Sequence, residues 1–137
     1  MIRVTSRELD YPGDGVTYIG GERFTGFQVF PDTAGWEYAE HEYRDGLLSG
    51  IIREWYRLGA LELEAECALG VYHGRVRRWH ESGLPASDAV YEYGIRLRGQ
   101  AWDESGNLIE DFTLTELDPS FGILQAFRRA EAEPLGE

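Results

Sequence analysis

The stretch Tyr43-Arg44-Asp45-Gly46-Leu47-Leu48-Ser49-Gly50, followed by Trp55, Gly59 and Leu61, recurs in altered form along most of the chain. Tyr43 and Tyr91 lie two steps of 24 residues apart, with Cys67 between them. The other columns keep a step of 24 or within one residue of it: Gly46, Gly70 and Gly94; Gly26, Gly50, Gly74 and Gly99; Gly35, Gly59, Gly83 and Gly106; Trp55, Trp79 and Trp102. An internal repeat of this period indicates an architecture of stacked units.

Each repeat unit predicts a β-hairpin. Gly59 separates two runs with strand character, and glycine at that place supplies the positive φ that ends a tight turn. A three-residue loop at 57–59 would pair Trp55 with Leu61, put Leu63 on the face of Trp55 and put Glu64 on the other face. Because a lone hairpin is marginal in water, the units must stack. The sequence therefore predicts an all-β repeat protein, a meander of about four antiparallel hairpins of ~24 residues with a tryptophan ladder.

The two ends of the chain differ from the repeats, as the ends of repeat proteins do. Residues 2–9 are expected to add a strand at the first edge. Asp118-Pro119 is typical of a helix start, and Phe121, Leu124 and Phe127 share one helical face. We predict a single domain with an N-terminal cap at 1–14, repeats at 15–113, a cap at 114–132 whose helix at roughly 119–131 covers the last edge, and a frayed tail at 133–137.

Composition restricts the class of partner. The 137 residues include 13 basic side chains, all of them arginine, and 25 acidic ones, which gives a net charge of −12. Nucleic acid and anionic lipid repel such a chain, whereas basic protein surfaces attract it. The single Cys67 excludes an intramolecular disulfide, and no run has the apolar length of a signal peptide or membrane helix. We expect a soluble cytoplasmic protein, monomeric when free, that binds neither nucleic acid nor membrane.

Acidic residues form a column of their own. Five positions after successive loop glycines stand Glu40, Glu64, Asp88 and Asp111, and Glu42 and Glu66 add a second, shorter column. Together with Tyr43, Tyr56 and Tyr91, whose hydroxyl groups tolerate water, these are the predicted partner-binding residues. One hypothesis is a carboxylate stripe that receives basic side chains of a partner. The alternative is a solvated face whose charges prevent aggregation. For the tryptophans, packing in the core is favoured over an exposed contact surface.

No residue pattern is typical of catalysis or of metal binding. His41, His73 and His80 lack the spacing of a known metal motif, and Cys67 has no second cysteine beside it. For Cys67 and Ser49 the sequence identifies no local base that would activate a nucleophile. The sequence predicts no catalytic residue, no metal and no cofactor.

The repeat unit resembles the MORN repeat, and more closely the variant repeat of bacterial YwqK-like antitoxins. The resemblance is carried by residues 43–50, Arg53-Glu54-Trp55-Tyr56 and 102–108, and Phe24-Thr25-Gly26 is similar to the first repeat of that group. It covers roughly residues 15–113. It implies an immunity or antitoxin protein that neutralises a toxin by occlusion, and it transfers no catalytic residue. Cys67 in the tyrosine column, Leu58 and Ser82 in the turns, and the irregular last repeat depart from the pattern.

Three functions compete on this basis. The first is an immunity protein that covers a basic partner, such as a toxin that acts on nucleic acid. The second is a scaffold or accessory protein that binds an enzyme or assembly unrelated to toxins. The third is an enzyme that uses the sheet surface, and it ranks lowest because the sequence offers no assembled nucleophile, metal set or phosphate loop.

Overall fold

The computed structural model describes residues 1–31, 35–57 and 59–132. This part of the chain contains 11 strands, a 3₁₀ helix at Ser6–Glu8 and one α-helix. The strands are β1 (Arg3–Val4), β2 (Tyr18–Ile19), β3 (Glu22–Arg23), β4 (Gly26–Pro31), β5 (Glu37–Arg44), β6 (Leu47–Trp55), β7 (Leu61–Ala68), β8 (Val71–Trp79), β9 (Pro85–Glu92), β10 (Ile95–Trp102) and β11 (Leu108–Thr113), and the helix is α1 (Pro119–Ala132).

The strands confirm the all-β prediction of stacked antiparallel hairpins. A 9-stranded sheet has the order β1-β4-β5-β6-β7-β8-β9-β10-β11, and β2 and β3 form a separate 2-stranded sheet. From β4 to β11 every pair is antiparallel, so the chain runs as a meander. β1 joins the first edge in parallel with β4, but it takes up only two of the residues 2–9 that were expected to add a strand there.

The predicted helix is present, and its start has the expected cap. The Ser120 N–H donates to Asp118 Oδ1 at 2.8 Å, and α1 continues to Ala132. The predicted tail at 133–137 lies outside the described residues. None of the helices described is long and apolar enough to cross a membrane.

Two kinds of turn alternate along the meander. One end of the sheet, here called the I′ end, has two-residue turns in which both residues have positive φ: Asp45-Gly46, Leu69-Gly70 and Tyr93-Gly94. This geometry matches the twist of the flanking strands. The other end, called the loop end, has turns that close on Gly59, Gly83 and Gly106, also at positive φ. Trp55 pairs with Leu61 as predicted, while Leu58 in that loop lies outside the described residues.

Hydrogen bonds tie each I′ turn to the preceding hairpin. The second turn residue donates its N–H to a backbone carbonyl: Gly46 to Phe24 at 2.7 Å, Gly70 to Leu48 at 2.9 Å and Gly94 to Tyr72 at 2.8 Å. The first turn residue donates its N–H to a side chain: Asp45 to Thr25 Oγ1 at 2.8 Å, Leu69 to Ser49 Oγ at 3.0 Å and Tyr93 to His73 Nδ1 at 3.0 Å. Thr25, Ser49 and His73 thus form a repeat column that sequence reading missed.

Similar links join the hairpins at the loop end. The Tyr56 hydroxyl donates to the Trp79 carbonyl at 2.7 Å, and Nε2 of His80, in the equivalent position, lies 3.0 Å from the Trp102 carbonyl. Both ends of a hairpin are therefore fastened to a neighbour, which fixes how the units stack.

A bulge in each hairpin changes which residues share a face. Trp55 pairs with Leu61 but Glu54 pairs with Leu63, so Glu62 is an extra residue. The same shift follows Phe30 and precedes Trp79 and Trp102. An extra residue exchanges the faces of all residues beyond it. The predictions that Leu63 shares the face of Trp55 and that Glu64 lies on the other face are wrong for this reason.

The buried face of the sheet carries small and aliphatic side chains. Its core consists of Ile52, Leu63, Ala65, Cys67 and Val76, with Leu48, Tyr72 and Tyr91 packed against it. Ala65 is completely buried although the sheet is a single layer, so the neighbouring side chains alone cover it.

A β-carbon added to Gly99 would lie 2.9 Å from Cβ of Ala89, and the glycine therefore allows β9 and β10 to approach closely.

Helix α1 packs at the I′ end rather than along the last edge of the sheet. The Phe127 ring stacks on Tyr93 with 4.9 Å between centroids, and Arg128 Nε pairs with Glu92 Oε2 at 2.7 Å. The Leu114 N–H donates to the Leu97 carbonyl at 2.8 Å, which extends the pairing of β11 with β10 by one residue. The prediction that the helix covers the last edge is wrong, because its described contacts lie at the turn between β9 and β10 instead.

Substituting alanine for Gly50 should lower the free energy of unfolding by about 2 kcal/mol or more. Gly50 has a φ of 110°, and the Glu42 carboxylate on the adjacent strand occupies the place of a β-carbon. Gly83→Ala is the matched control, because Gly83 has a φ of 91° but no atom within 4 Å of that place. Urea titrations of the two variants should show the larger loss for Gly50→Ala, and equal losses would contradict the crowding argument.

Replacing Leu69 by asparagine should raise the free energy of unfolding by about 0.5–1 kcal/mol. Leu69 has a φ of 51°, a conformation that asparagine tolerates far better than leucine, and its side chain is 73% exposed. Leu84→Asn, at another exposed turn position without a positive φ, is the control. Thermal unfolding should show a gain for the first variant alone; a gain for neither would remove the strain argument.

Candidate partner-binding face

The acidic column predicted from sequence lies in one row across the sheet, and arginines alternate with it. The directly opposed residues are Glu40 on β5, Arg53 on β6, Glu64 on β7, Arg77 on β8 and Asp88 on β9, here called the ion ladder. The row continues as Gln100 on β10 and Asp111 on β11. The strand pairing thus places arginines from β6 and β8 between the acidic residues.

Every carboxylate of the ion ladder is bound by guanidinium groups of this chain. Glu40 accepts from Arg3 Nη1 at 2.6 Å and from Arg53 Nη1 at 3.2 Å. Glu64 accepts from Arg53 Nε at 2.9 Å and Arg77 Nη2 at 2.5 Å, and Asp88 is held by both Nε and Nη2 of Arg75 at 3.0 and 2.6 Å. The charge of these carboxylates is therefore already compensated within the chain, which weakens their attraction for a partner's arginine.

Hydrogen bonds from arginines favour the ionised form of two ladder carboxylates. Glu40 is only 6% exposed, and the two guanidinium groups that contact it replace part of its lost hydration. Hydrogen bonding to Arg53, and then to Arg77, lowers the pKa of Glu64. Hydrogen bonding to Arg75 lowers the pKa of Asp88. The ladder is therefore a structural network of charge-assisted hydrogen bonds.

The two residues of the shorter acidic column have different surroundings. Glu42 is 5% exposed, accepts the Ile51 N–H at 2.9 Å and pairs with Arg44 Nε at 3.0 Å. Glu66 is exposed, and its carboxylate lies against Gly74, where an added β-carbon would be 2.6 Å from Oε2. The repeated glycine of this column thus makes room for a glutamate of the neighbouring strand.

The structure separates the predicted tyrosines from the predicted carboxylates. Tyr43 lies beside Phe24 with 5.6 Å between ring centroids, and Tyr91 meets Tyr72 edge-on at 5.2 Å. The alternation of the strands places both on the face opposite the ladder. Tyr56 lies at the loop end, where it bonds the next hairpin. Asp111 is exposed on the last strand and forms no ion pair with any described residue.

A row of tryptophans runs beside the ion ladder on the same face. Each lies opposite a residue with an apolar side chain: Trp55 opposite Leu61, Trp79 opposite Pro85 and Trp102 opposite Leu108. The Arg77 guanidinium lies over the Trp79 ring at 5.4 Å. The three indoles are half-buried and lie on the face opposite the core, so the expectation that they pack in the core is wrong. The bulges that exchange the faces are the cause.

A second group of carboxylates lies at the loop end of the sheet. Glu62, Glu81 and Glu104 surround Tyr56, and after burial their charges are the causes that raise its pKa. None of the three glutamates forms an ion pair within the described ranges. A groove of about 400 Å³ between the loops is lined by Tyr56, His80, Glu81, Ser82 and Glu104. The loop-end glutamates thus have no ion pair with a described residue, whereas the carboxylates of the ion ladder are paired with arginines.

The remaining reactive side chains are held in structural positions. Burial raises the pKa of the Cys67 thiol to about 11, so it stays protonated at neutral pH. Burial lowers the pKa of His41, whose ring lies 4.7 Å from that of Phe30. No group of three or more histidine, cysteine, aspartate and glutamate residues suited to a metal ion occurs in the part of the chain that the structure describes.

Comparison of the chain with protein-family models, with curated proteins and with solved structures finds no match in any of the three. The likeness of the repeat unit to the YwqK-like antitoxins stays a prediction from sequence.

The ion ladder predicts a loss of stability in acid. In the unfolded chain, Glu64 and Asp88 take up protons near their ordinary pKa values of 4.5 and 3.8, whereas the arginines hold their pKa values lower in the folded chain. Their contribution is therefore complete above these ordinary values and is lost as the pH falls through the folded values. Urea titrations should give a smaller free energy of unfolding at about pH 3 than at about pH 6.

The variant Glu64→Gln isolates one member of the ladder. It should lower the free energy of unfolding by about 1–2 kcal/mol near neutral pH and by much less in acid. Plots of this free energy against pH for wild type and variant should therefore converge as the pH falls. Glu116→Gln, an exposed residue outside the sheet, should leave the pH dependence unchanged. Parallel curves for wild type and Glu64→Gln would contradict the prediction.

Proposed function

We propose that the chain is a non-catalytic binding protein that covers part of a basic protein partner, and that it acts as an immunity or antitoxin protein which neutralises a toxin by occlusion. The observation that carries the proposal is the tryptophan row beside the unpaired glutamates of the loop end. Tryptophan and arginine are the residues that most often dominate the energy of protein interfaces. Likeness of the repeat unit to YwqK-like antitoxins supports the toxin part of the proposal.

Different residues would determine how fast the complex forms and how long it lasts. Glu62, Glu81 and Glu104 would attract a basic surface over several ångströms and so accelerate association. Trp79 and the other indoles would anchor the partner and slow dissociation. The paired carboxylates of the ion ladder would hold the arginines and indoles in place before binding, which reduces the entropy lost. Glu66 and Asp111 remain the predicted residues best placed to meet a partner's cations directly.

The first experiment is to identify the partner. The tagged protein serves as bait in a lysate of its native host at low salt, and retained proteins are identified by mass spectrometry. A basic protein recovered in equal amount is then expressed in a sensitive host with and without this chain. Rescue of growth supports the immunity function. A harmless enzyme or assembly component as the stoichiometric partner would instead establish the scaffold function.

Charge reversal at the loop end should slow association with that partner about tenfold or more at low salt, with a smaller effect at high salt. The variant carries Glu62→Arg, Glu81→Arg and Glu104→Arg. The control carries Glu22→Arg, Glu116→Arg and Glu131→Arg, which change the net charge equally at exposed sites away from the loops. Stopped-flow rates measure the difference. Equal rates for the two triple variants would show that the loop glutamates do not steer the partner.

Substituting Trp79 should change the dissociation rate constant rather than the association rate constant. Trp79→Ala should raise the dissociation rate about tenfold or more with little change in association. Circular dichroism and a urea titration check that the variant stays folded. An unchanged dissociation rate would remove the tryptophan row from the interface.

A further inference from the structure

The last strand of the sheet has one side without a neighbour. β11 pairs with β10 on one side, and in the described chain no strand or helix lies along the other. Leu108 and Ile109 are 51% and 66% exposed. An edge of this kind presents free N–H and C=O groups that can pair with another extended segment.

The ion ladder is incomplete at this edge. Glu40 and Glu64 each have an arginine directly opposite on the next strand, Arg53 and Arg77 respectively. Asp111 lies in the same row with Gln100 on one side and nothing on the other. A strand added to β11 in register would therefore place one side chain directly opposite this exposed carboxylate, at the short distance typical of cross-strand pairs.

The first edge of the same sheet shows that a short added segment can supply a cation to the row. β1 is only two residues long, yet it pairs with β4 and carries Arg3 opposite Phe27. Arg3 reaches across β4, donates to Glu40 on β5 at 2.6 Å and also pairs with Glu37. No described strand or helix brings an arginine to Asp111 from the open side of β11 in this way.

A second copy of this chain is a poor occupant of the edge. Two β11 strands that continue the sheet about a two-fold axis must place residues of the same face opposite each other. If the two strands overlap along their whole length, the two-fold axis passes beside Glu110 or beside Asp111. In the first register the two copies of Glu110 face each other, and in the second the two copies of Asp111 do. Like charges at opposed positions are destabilising, and the net charge of −12 adds repulsion.

We infer that β11 binds an extended segment of a different protein as an added strand, with an arginine or lysine of that segment paired to Asp111. The inference rests on the proposed function in one respect, since the segment belongs to the basic partner. Backbone pairing with β11 would supply the affinity, and the basic residue opposite Asp111 would fix the register. The rest of the partner would then lie over the ladder face and the tryptophan row.

The test uses the intact protein and a peptide of known sequence. The peptide copies β8, Val71–Trp79, because that strand places Arg77 opposite an acidic residue on both of its neighbours. A second peptide carries glutamate at the position of Arg77. Fluorescence anisotropy gives the two dissociation constants, and amide chemical shifts of the isotope-labelled protein identify where the peptide lies. The arginine peptide should bind at least about tenfold more tightly, with shifts centred on β11.

A charge exchange separates pairing at Asp111 from general attraction. Asp111→Arg should weaken the arginine peptide about tenfold and restore binding of the glutamate peptide, while Glu22→Arg, at an exposed site on the small sheet, should change neither. Because Asp111 is exposed, the variant should fold, and the gain for the glutamate peptide demonstrates that it does. Shifts centred on another strand, or dissociation constants unaffected by Asp111→Arg, would overturn the inference.

Three further outcomes concern the occupant of the edge and its relation to the proposed function. Sedimentation that shows a dimer abolished by Asp111→Arg would overturn the inference in favour of a second copy of the chain. Capture of the host partner unchanged by Asp111→Arg, together with no peptide binding, would also overturn it and leave the proposed function in place. Peptide binding at β11 with no host partner would support the edge site and count against the proposed function.

Discussion

The hydrogen bond from each I′ turn glycine to a carbonyl of the preceding hairpin is the contact on which the rest of the sheet depends. A single hairpin is marginal in water and this sheet has no second layer, so each unit gains its stability from the neighbour beside it. The bond from Gly70 to Leu48 fixes where one hairpin lies against the next. A slip of one residue would turn every side chain to the wrong face. The glycines tolerate the positive φ that aims these N–H groups, which explains why the column repeats along the chain.

The ion ladder stabilises the face that has no hydrophobic core. Arginine and carboxylate side chains alternate across five strands, and their charged ends are paired. The network favours the observed register of β5 with β6, because a shift of two residues would bring Glu40 opposite Ile51 or Trp55. The ladder thus presents a surface of paired charges beside the tryptophans, whereas Glu62, Glu81 and Glu104 place negative charge around Tyr56 at the loop end.

Local features of the structure could be predicted from the sequence, and non-local ones could not. The period of 24 residues predicted the hairpins, and Asp118-Pro119 predicted the start of α1, because turns and helix caps depend on neighbouring residues. The exchange of faces was missed because the bulge at Glu62 has no sequence signature. For the candidate site, the acidic column was visible, but its pairing with Arg53 and Arg77 required the register. One repeat column was missed because three different residue types fill it, namely Thr25, Ser49 and His73. They share only a side-chain atom that accepts a hydrogen bond from the turn.

The alternation of charge along the ladder limits how a sheet of this kind can change in size. Carboxylates lie on β5, β7 and β9 and arginines on β6 and β8, so inserting or deleting one strand would bring like charges together. Adding a whole hairpin preserves every existing neighbour pair and widens the sheet by two strand spacings, about 10 Å. The width of such a sheet can therefore change only in fixed steps of one hairpin. Duplication of one unit in the gene would widen the sheet by one step and keep the alternation of charges on its surface.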